Sequence, residues 1–403
     1  MERRHLAWDL SAPPWSGAHA VITRLREAGH VGVLVGGAVR DRLLGRRVHE
    51  VDVATDASPD VVSALFPRCV EVGRAFGVIV VVGEDGSQVE VASFRSDRAY
   101  VDGRRPSGID PASEAEDVQR RDFTVNALIY DPVVSELRDH VGGLRDLEDR
   151  VLRVVGSAAD RLAEDRLRVL RGLRFAAAMQ LQIAPATWRA MQTTALVGLS
   201  RERILQEWDK AGRDPQRAVW WRLSVRCGTV GALCEHFADW PLRRHATVAQ
   251  RLDRLAPTAT AAVTQAAALR ELGPVQRTEW LREQPLSRRR LRLLQYLCQA
   301  PDPQRAESVG GEDLALLLGD EAFEQLLELW SGLGLEPAAG ARWRARAARS
   351  REPLISACDL LAAGLQPGPA VGRALRAVRA AQAAGTVTDR AAALALARRH
   401  IAL

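Results

Sequence analysis

Two acidic residues, Glu50 and Asp52, stand two apart in the run Glu50-Val51-Asp52-Val53-Ala54-Thr55. On a β-strand that spacing sends both carboxylates to one face. Carboxylates held together repel unless a cation neutralises them, and hard oxygen donors suit magnesium; exposed acids at a strand end are the plain alternative. Upstream, Gly36-Gly37 closes a β-rich run and opens a short helical pattern. Glycines there let the backbone approach an anion, and the amides of the following helix point at it, so the turn is a candidate triphosphate cradle or simply a tight turn. Asp165 and Arg168 are three apart in a helical pattern and would share a face. A carboxylate acceptor beside a guanidinium donor complements cytosine and adenine, which each pair an amino donor with a ring-nitrogen acceptor, and rejects uracil and guanine. The same spacing also describes an ordinary surface ion-pair ladder. Arg120, Arg121, Asp122 and Asn126 fall within one to two turns, where arginines can reach phosphate while Asp122 and Asn126 orient a sugar or neighbouring side chains.

The elements that must carry these residues are legible in outline. The spacing predicts a strand at 31–35, a helix at 38–44, a strand at 51–54, and a helix that Ser58 caps with Pro59 at its first position. Valine-rich runs at 76–82 and 88–94 flank Glu84-Asp85-Gly86 and predict a hairpin. Residues 95–116 read as a long polar loop, a length that is usually functional or disordered. A helix over 117–130, a strand at 151–155 and a long helix over 158–180 follow. Beyond about residue 155 the chain reads as successive helices rich in Ala, Leu and Arg. The fold class is therefore α+β: a small mixed-sheet head (1–155), then an all-α neck (156–215) and a helical body and tail (216–403).

A chain of 403 residues with 47% hydrophobic and 26% charged residues has room for two or three ordinary soluble domains. Its formal charge of +6 rests almost wholly on arginine, Lys210 being the single lysine. Five scattered cysteines lack any C-x-x-C pair, which argues against a disulfide framework or a zinc site. No apolar run approaches the ~20 residues of a membrane helix, and the first residues lack an apolar signal core, so the expectation is a cytoplasmic protein without membrane contact.

The motifs, taken in order, resemble a known family. Val35-Gly36-Gly37-Ala38-Val39-Arg40-Asp41 with Val51-Asp52-Val53-Ala54-Thr55-Asp56-Ala57 closely resembles the head of polymerase β-like nucleotidyltransferases, specifically class II CCA-adding tRNA nucleotidyltransferases and bacterial poly(A) polymerases. Arg120-Arg121-Asp122-Phe123-Thr124-Val125-Asn126-Ala127 is similar to the family's second motif. Glu164-Asp165-Arg166-Leu167-Arg168 with Arg171-Gly172-Leu173-Arg174-Phe175 is similar to its nucleotide-reading helix. Residues 200–207 resemble the helix that closes the neck, and 354–369 the tail of bacterial CCA-adding enzymes.

The resemblance implies template-independent addition of C, C and A to tRNA 3′ ends from CTP and ATP, with two magnesium ions held by Glu50 and Asp52 and with Glu90 as a third catalytic acid. Glu50 stands where the family normally has aspartate. Gly36, Gly37, Arg40, Arg121, Asp122, Asn126, Asp165, Arg168, Arg171 and Arg174 are then expected to bind nucleotide. Arg121 would lie near the triphosphate, Asp122 at the ribose, and Glu164 would orient Arg168. The segment 95–116 corresponds to a family loop that helps to switch from C to A addition. The helical remainder would hold RNA through Arg288 and Arg289, in the run with Arg290 and Arg292, and through Arg342, Arg346 and Arg349, in the run with Arg344, Trp343 and Arg351; solvated helix faces are the alternative. Neighbouring activities are addition of only CC or only A, poly(A) synthesis, or RNA binding by a homologue weakened at Glu50.

Overall fold

The computed structural model describes residues 1–73, 77–83, 85–97, 108–303, 320–350, 352–364 and 366–400. The chain divides into two compact units, one of residues 1–204 with 226–232, the other of residues 205–225 with 233–403.

The first unit carries the sheet. In chain order it runs β1 (Glu2–His5), α1 (Trp15–Glu27), β2 (Gly32–Val35), α2 (Gly37–Leu43), β3 (Asp52–Thr55), α3 (Pro59–Leu65), β4 (Cys69–Gly73), β5 (Val78–Val82) and β6 (Gln88–Ser93). There follow β7 (Arg95–Asp97), β8 (Ile109–Pro111), α4 (Glu114–Gln119), β9 (Ile129–Asp131), β10 (Glu136–Asp139), α5 (Gly143–Glu148), β11 (Val151–Leu152), α6 (Ala158–Glu164), α7 (Leu167–Met179), β12 (Gln182–Ile183), α8 (Pro185–Thr193) and the start of α9 (Arg201–Arg213). The main sheet has the order β1-β10-β9-β2-β3-β6-β5-β4. Among the described residues of this sheet, only the β3–β6 pair is parallel.

β2 is buried along its whole length, as a central strand covered on both faces must be. On one face Gly32 admits the backbone of α1, since a Cβ there would stand 3.3 Å from the Cα of Ile22. On the other, Val33, Val35 and Ala54 pack with Phe94, Val118, Ile129 and Val155. That second face is where the candidate residues gather.

The expected hairpin is present, with Gly83 donating to the Ser87 carbonyl at 2.7 Å and Gly86 at φ +81°; Phe76 and Glu84 lie outside the described residues. Ser58 caps α3 by accepting from the Val61 amide. Three expectations change. The segment 95–116 is not all loop: β7 and β8 pair antiparallel, and α4 begins inside it, capped by Ser113 and Glu116. Asp102, Arg104 and Arg105 lie outside the described residues.

The helix expected over 117–130 ends at Gln119. Phe123 is extended, bridges to Val154, and is followed by a single 3-10 turn and β9. Here the sheet offers Ile129 and Tyr130 a strand position that local helical spacing cannot foresee. The helix expected over 158–180 breaks into α6 and α7 at Asp165, whose carboxylate accepts from the Leu167 amide at 3.1 Å and so competes with the helical hydrogen-bond pattern.

The second unit is helical throughout its described residues. Its core includes Trp208, Trp221, Phe237 and Trp280, with ring centroids 5.4 to 6.1 Å apart at steep angles. Trp220 and Trp221 are both buried, a packing pair. Arg217, 1% exposed, donates to the carbonyls of Gly212, Leu255, Ala256 and Pro257 and so satisfies loop ends that water does not reach. Ile355, Leu360, Val371, Ala374, Val378 and Ala393 form a further core near the C-terminus. Among the described residues no helix is long and apolar enough to cross a membrane.

Candidate functional site

Asp52 is the last residue that β3 pairs with β2, opposite Val35. Beyond Val35 the partner strand turns away, because Gly36 adopts φ +75° and ψ −139°, a conformation reserved for glycine, and starts α2. With no partner left, residues before Asp52 leave the ladder. Glu50 is consequently exposed and outside the strand, so the expectation that it shares a strand face with Asp52 is corrected.

The acid that does share that face is Glu90. β3 and β6 are parallel with Val53 opposite Val91, both in the core, so Asp52 and Glu90, one residue earlier on each strand, emerge side by side on the opposite face. The electrostatics reflect this. Burial, then the charges of Glu90 and Glu50, push the Asp52 carboxyl up to about 6 against the opposing pull of Arg121. Burial and Glu50 likewise raise Glu90, opposed by Arg95. Glu50 thus acts on both acids by its charge without lining the site.

Among the described residues no three His, Cys, Asp or Glu side chains converge on one point. Two adjacent carboxylates in a field of their own sign nonetheless fit magnesium. That ion is typically held by one or two carboxylates, with the remaining positions left to water and substrate phosphates.

Arg120 and Arg121 flank this acidic end. Asp117, the buried residue near the end of α4, accepts from Arg120 Nε and Nη2 at 2.9 and 2.6 Å through Oδ1, and from Arg121 Nε and Nη2 at 3.2 and 2.9 Å through Oδ2. The next acid, Asp122, accepts from Arg171 at 3.0 and 2.8 Å and from Asn126 Nδ2 at 3.1 Å. Burial alone would raise Asp122; Arg171 and Asn126 outweigh it and hold the carboxyl low. Asn126 Oδ1 in turn accepts from Arg40, whose other nitrogens are tied to Asp41. Phe175 carries Arg174, Arg40 and Arg171 near its ring at 4.2, 5.2 and 5.4 Å from the centroid.

Asp165 and Arg168 do not share a helix, since Asp165 sits in the break between α6 and α7 with an extended backbone. Each is anchored separately. Arg168, 8% exposed, donates to Glu164 at 3.0 Å and to the carbonyls of Arg161 and Arg120 at 2.8 and 3.1 Å. Asp165 is held by Arg203 from α9. Glu164 therefore touches Arg168 as expected. Sequence does not single out Arg203, because an arginine on one helix face gives no local sign of a partner 38 residues away.

These groups line one cleft of about 480 Å³ within the first unit. It brings together Asp52, Glu90, Gly36, Gly37, Arg40 and Arg121 at one end, and Asp122, Asn126, Asp165, Arg168 and Arg171 with them. Arg95, Arg120, Arg203 and Phe175 complete it, whereas Glu50 and Arg174 are outside the lining. Seven arginines against four acids make a cleft suited to a polyanion that carries a flat polar group.

The arginines expected to meet RNA behave individually. Arg288 and Arg289 are exposed, and Arg289 pairs with Glu321 at 2.6 Å. Arg342 lines a second cleft of about 500 Å³, within the second unit, together with Arg251 and Arg254. Arg346 lies over Trp343 at 5.0 Å, and Arg349 donates to the Ala383 carbonyl at 3.0 Å. Trp343 itself is 2% exposed and packs on Trp330, so it serves the core rather than a stacking surface. Arg351 lies outside the described residues.

Residues 33–153 match the family model described as the Poly A polymerase head domain. The chain is 42% identical over 210 residues to the CCA-adding enzyme of Streptococcus mutans and 43% identical over 208 residues to that of Streptococcus pyogenes. Each alignment covers 51% of this chain, and the chain spans about half the length of these curated relatives. Among solved structures it resembles the Bacillus stearothermophilus CCA-adding enzyme in complex with CTP, with a TM-score of 0.77 and 27% identity over 96% of this chain and 98% of that one. The fold also resembles that of the Thermotoga maritima CCA-adding enzyme complexed with tRNA, with a TM-score of 0.70 at 18% identity over 100% of this chain and 99% of that one.

Proposed function

Because residues 33–153 match the family model described as the Poly A polymerase head domain, we propose that this chain is a tRNA nucleotidyltransferase that adds C, C and A to RNA 3′ ends from CTP and ATP. The observation that carries the proposal is the content of one cleft. Adjacent carboxylates Asp52 and Glu90, a glycine turn at Gly36 faced by Arg121, and the separately anchored pair Asp165 and Arg168 all line it.

Gly36 and Gly37 let the triphosphate approach the backbone at the start of α2, and Arg121 neutralises it. Asp52 and Glu90, with Glu50 nearby, are the residues that would hold magnesium. Bound there, two such ions supply charge neutralisation of the phosphates and activation of the RNA 3′ hydroxyl. Asp165 accepts from the amino group of cytosine or adenine while Arg168 donates to the ring acceptor beside it. Asp122, fixed by Arg171 and Asn126, stands for the ribose. Catalysis is then chiefly positioning and electrostatics.

In this reading the head up to about residue 155 performs transfer, the neck (156–215) reads the base, and the body and tail (216–403) hold tRNA. For the last role Arg342 and Arg254 are the foremost candidates, since both line the second cleft. CTP, ATP and tRNA appear with the similar enzymes whose structures are solved, which supports them as substrates here. A cytoplasmic site of action accords with such a reaction.

One observation favours a second reading. Glu50 is off the strand and exposed, which fits a homologue that binds RNA and nucleotide but transfers slowly. A single experiment separates the readings: transcripts ending before CCA, after C and after CC are incubated with one nucleotide at a time, with magnesium or manganese. Ordered incorporation of C, C and A supports the first. Incorporation of C alone or A alone marks a partial enzyme, long adenylate tails a poly(A) polymerase, and no incorporation a binding protein.

A further inference from the structure

Asp117 lies outside every motif that pointed to function, yet it is 1% exposed and holds two cleft arginines at once. Its position is built rather than incidental. α4 is capped by Ser113 and Glu116, Val118 beside it is fully buried in the sheet core, and Asp117 Oδ1 also faces the Arg95 amide at 3.4 Å. A buried carboxylate must be paired, and here the Arg120 and Arg121 charges outweigh the cost of burial and keep it ionised. Both arginines are gripped by the same edge, Nε with Nη2, which leaves the Nη1 side of each fork pointing away from Asp117. For Arg121 that side looks onto the glycine turn, since the position a Cβ on Gly36 would take is 3.8 Å from Arg121 Nη1 and 3.8 Å from Asp52 Oδ2. The carbonyl of Arg120, meanwhile, accepts from Arg168.

We propose that Asp117 is a positioning residue: a buried fork-holder that aims Arg121 at the triphosphate and fixes the Arg120 guanidinium in the cleft wall. This rests on reading the cleft as a nucleoside triphosphate site, and it assigns to one acid the geometry of two cations. The sign of its effect sets it apart from simple electrostatics. Deleting a negative charge from an anion site should tighten anion binding, whereas deleting a device that aims the arginines should weaken it.

The test uses the full chain and inorganic tripolyphosphate as the probe, with binding followed by calorimetry and KM and kcat for CTP and ATP measured in parallel. For Asp117→Asn, the expected result is tripolyphosphate binding weaker by about tenfold and a KM raised by a similar factor, with a smaller change in kcat. Arg121→Lys keeps the charge but cannot be gripped at two points; it should weaken binding alike and also serves if Asp117→Asn does not fold. The double variant should be no worse than the weaker single one, because both remove the same arrangement. Unchanged or tighter binding in Asp117→Asn, additive losses in the double variant, or no tripolyphosphate binding by the wild type would each overturn the proposal. Wild-type protein that binds tripolyphosphate in an Asp117-dependent way but transfers no nucleotide would instead overturn the activity and leave this role standing.

Discussion

Arg203 donates through Nη2 to both carboxylate oxygens of Asp165, at 3.1 and 2.9 Å, while its own Nη1 is buried without a hydrogen-bond partner. The orientation of the carboxylate proposed to read the base is therefore set from α9 together with the Leu167 amide at the start of α7. Arg203→Ala should leave Asp165 held by the Leu167 amide alone and loosen its orientation. The expected cost is about 1.5–3 kcal/mol in kcat/KM for CTP and ATP, with discrimination against UTP and GTP relaxed accordingly. Arg203→Lys should recover part of it. Single-nucleotide incorporation with all four triphosphates checks this, and unchanged selectivity in Arg203→Ala would remove Arg203 from the reading device.

Glu50 raises Asp52 and Glu90 by its charge but is exposed and makes no part of the cleft wall. Glu50→Asp introduces the residue that the resemblance to the nucleotidyltransferases implies at this position. It should raise turnover on tRNA lacking CCA while altering stability by less than about 0.5 kcal/mol, as exposed substitutions do. Initial rates at saturating magnesium, with thermal melts alongside, test both halves. A fall in rate would mean that the loop before β3 is already fitted to glutamate.

With its carboxyl raised to about 6, Asp52 favours the protonated form in the folded chain, whereas an unfolded aspartate ionises near pH 3.9. The folded state thus binds more protons between those values. Without metal, stability is greatest below the unfolded value and falls as the pH climbs to about 6. Asp52→Asn should consequently be more stable than the wild type above pH 6 by about 1–3 kcal/mol, with the gap closing below pH 4. Magnesium should raise the melting temperature of the wild type and not of the variant. Denaturant melts in EDTA across pH 4 to 8 provide the comparison.

Arg342 and Arg254 line the second cleft, whereas Arg289 is already paired with Glu321. Arg342→Glu should weaken tRNA binding across sequences and lower the slope of log affinity against log salt by about one. Arg289→Ala should have the smaller effect. Filter binding from 50 to 300 mM salt decides between them, and equal effects would argue for a diffuse basic face.

The apolar run of β2 and the alternation along β6 were legible because β2 is buried on both faces while β6 alternates buried and outward-facing residues, and the Ser58 cap and the Gly36 turn carry local signals strong enough to survive packing. Helix boundaries were less legible. Asp122, Phe123 and Asp165 sit in stretches whose spacing suits a helix, yet Phe123 bridges to Val154 and the Asp165 side chain bonds the Leu167 amide. Both events depend on groups that helical periodicity does not weigh.

Sequence alone determined which residue types furnish the cleft and the order of its parts. Carboxylates, a glycine turn and an arginine-rich segment announce themselves by type and spacing, since those properties are local. Tertiary structure decided which acid stands beside Asp52, because only the parallel register of β3 and β6 brings Glu90 there while the end of the ladder releases Glu50. It also decided what holds the working side chains: Asp117 for Arg121, Arg171 for Asp122 and Arg203 for Asp165. A charge declares its sign in the sequence, but its partner is chosen by burial, where an unpaired ion costs too much to persist.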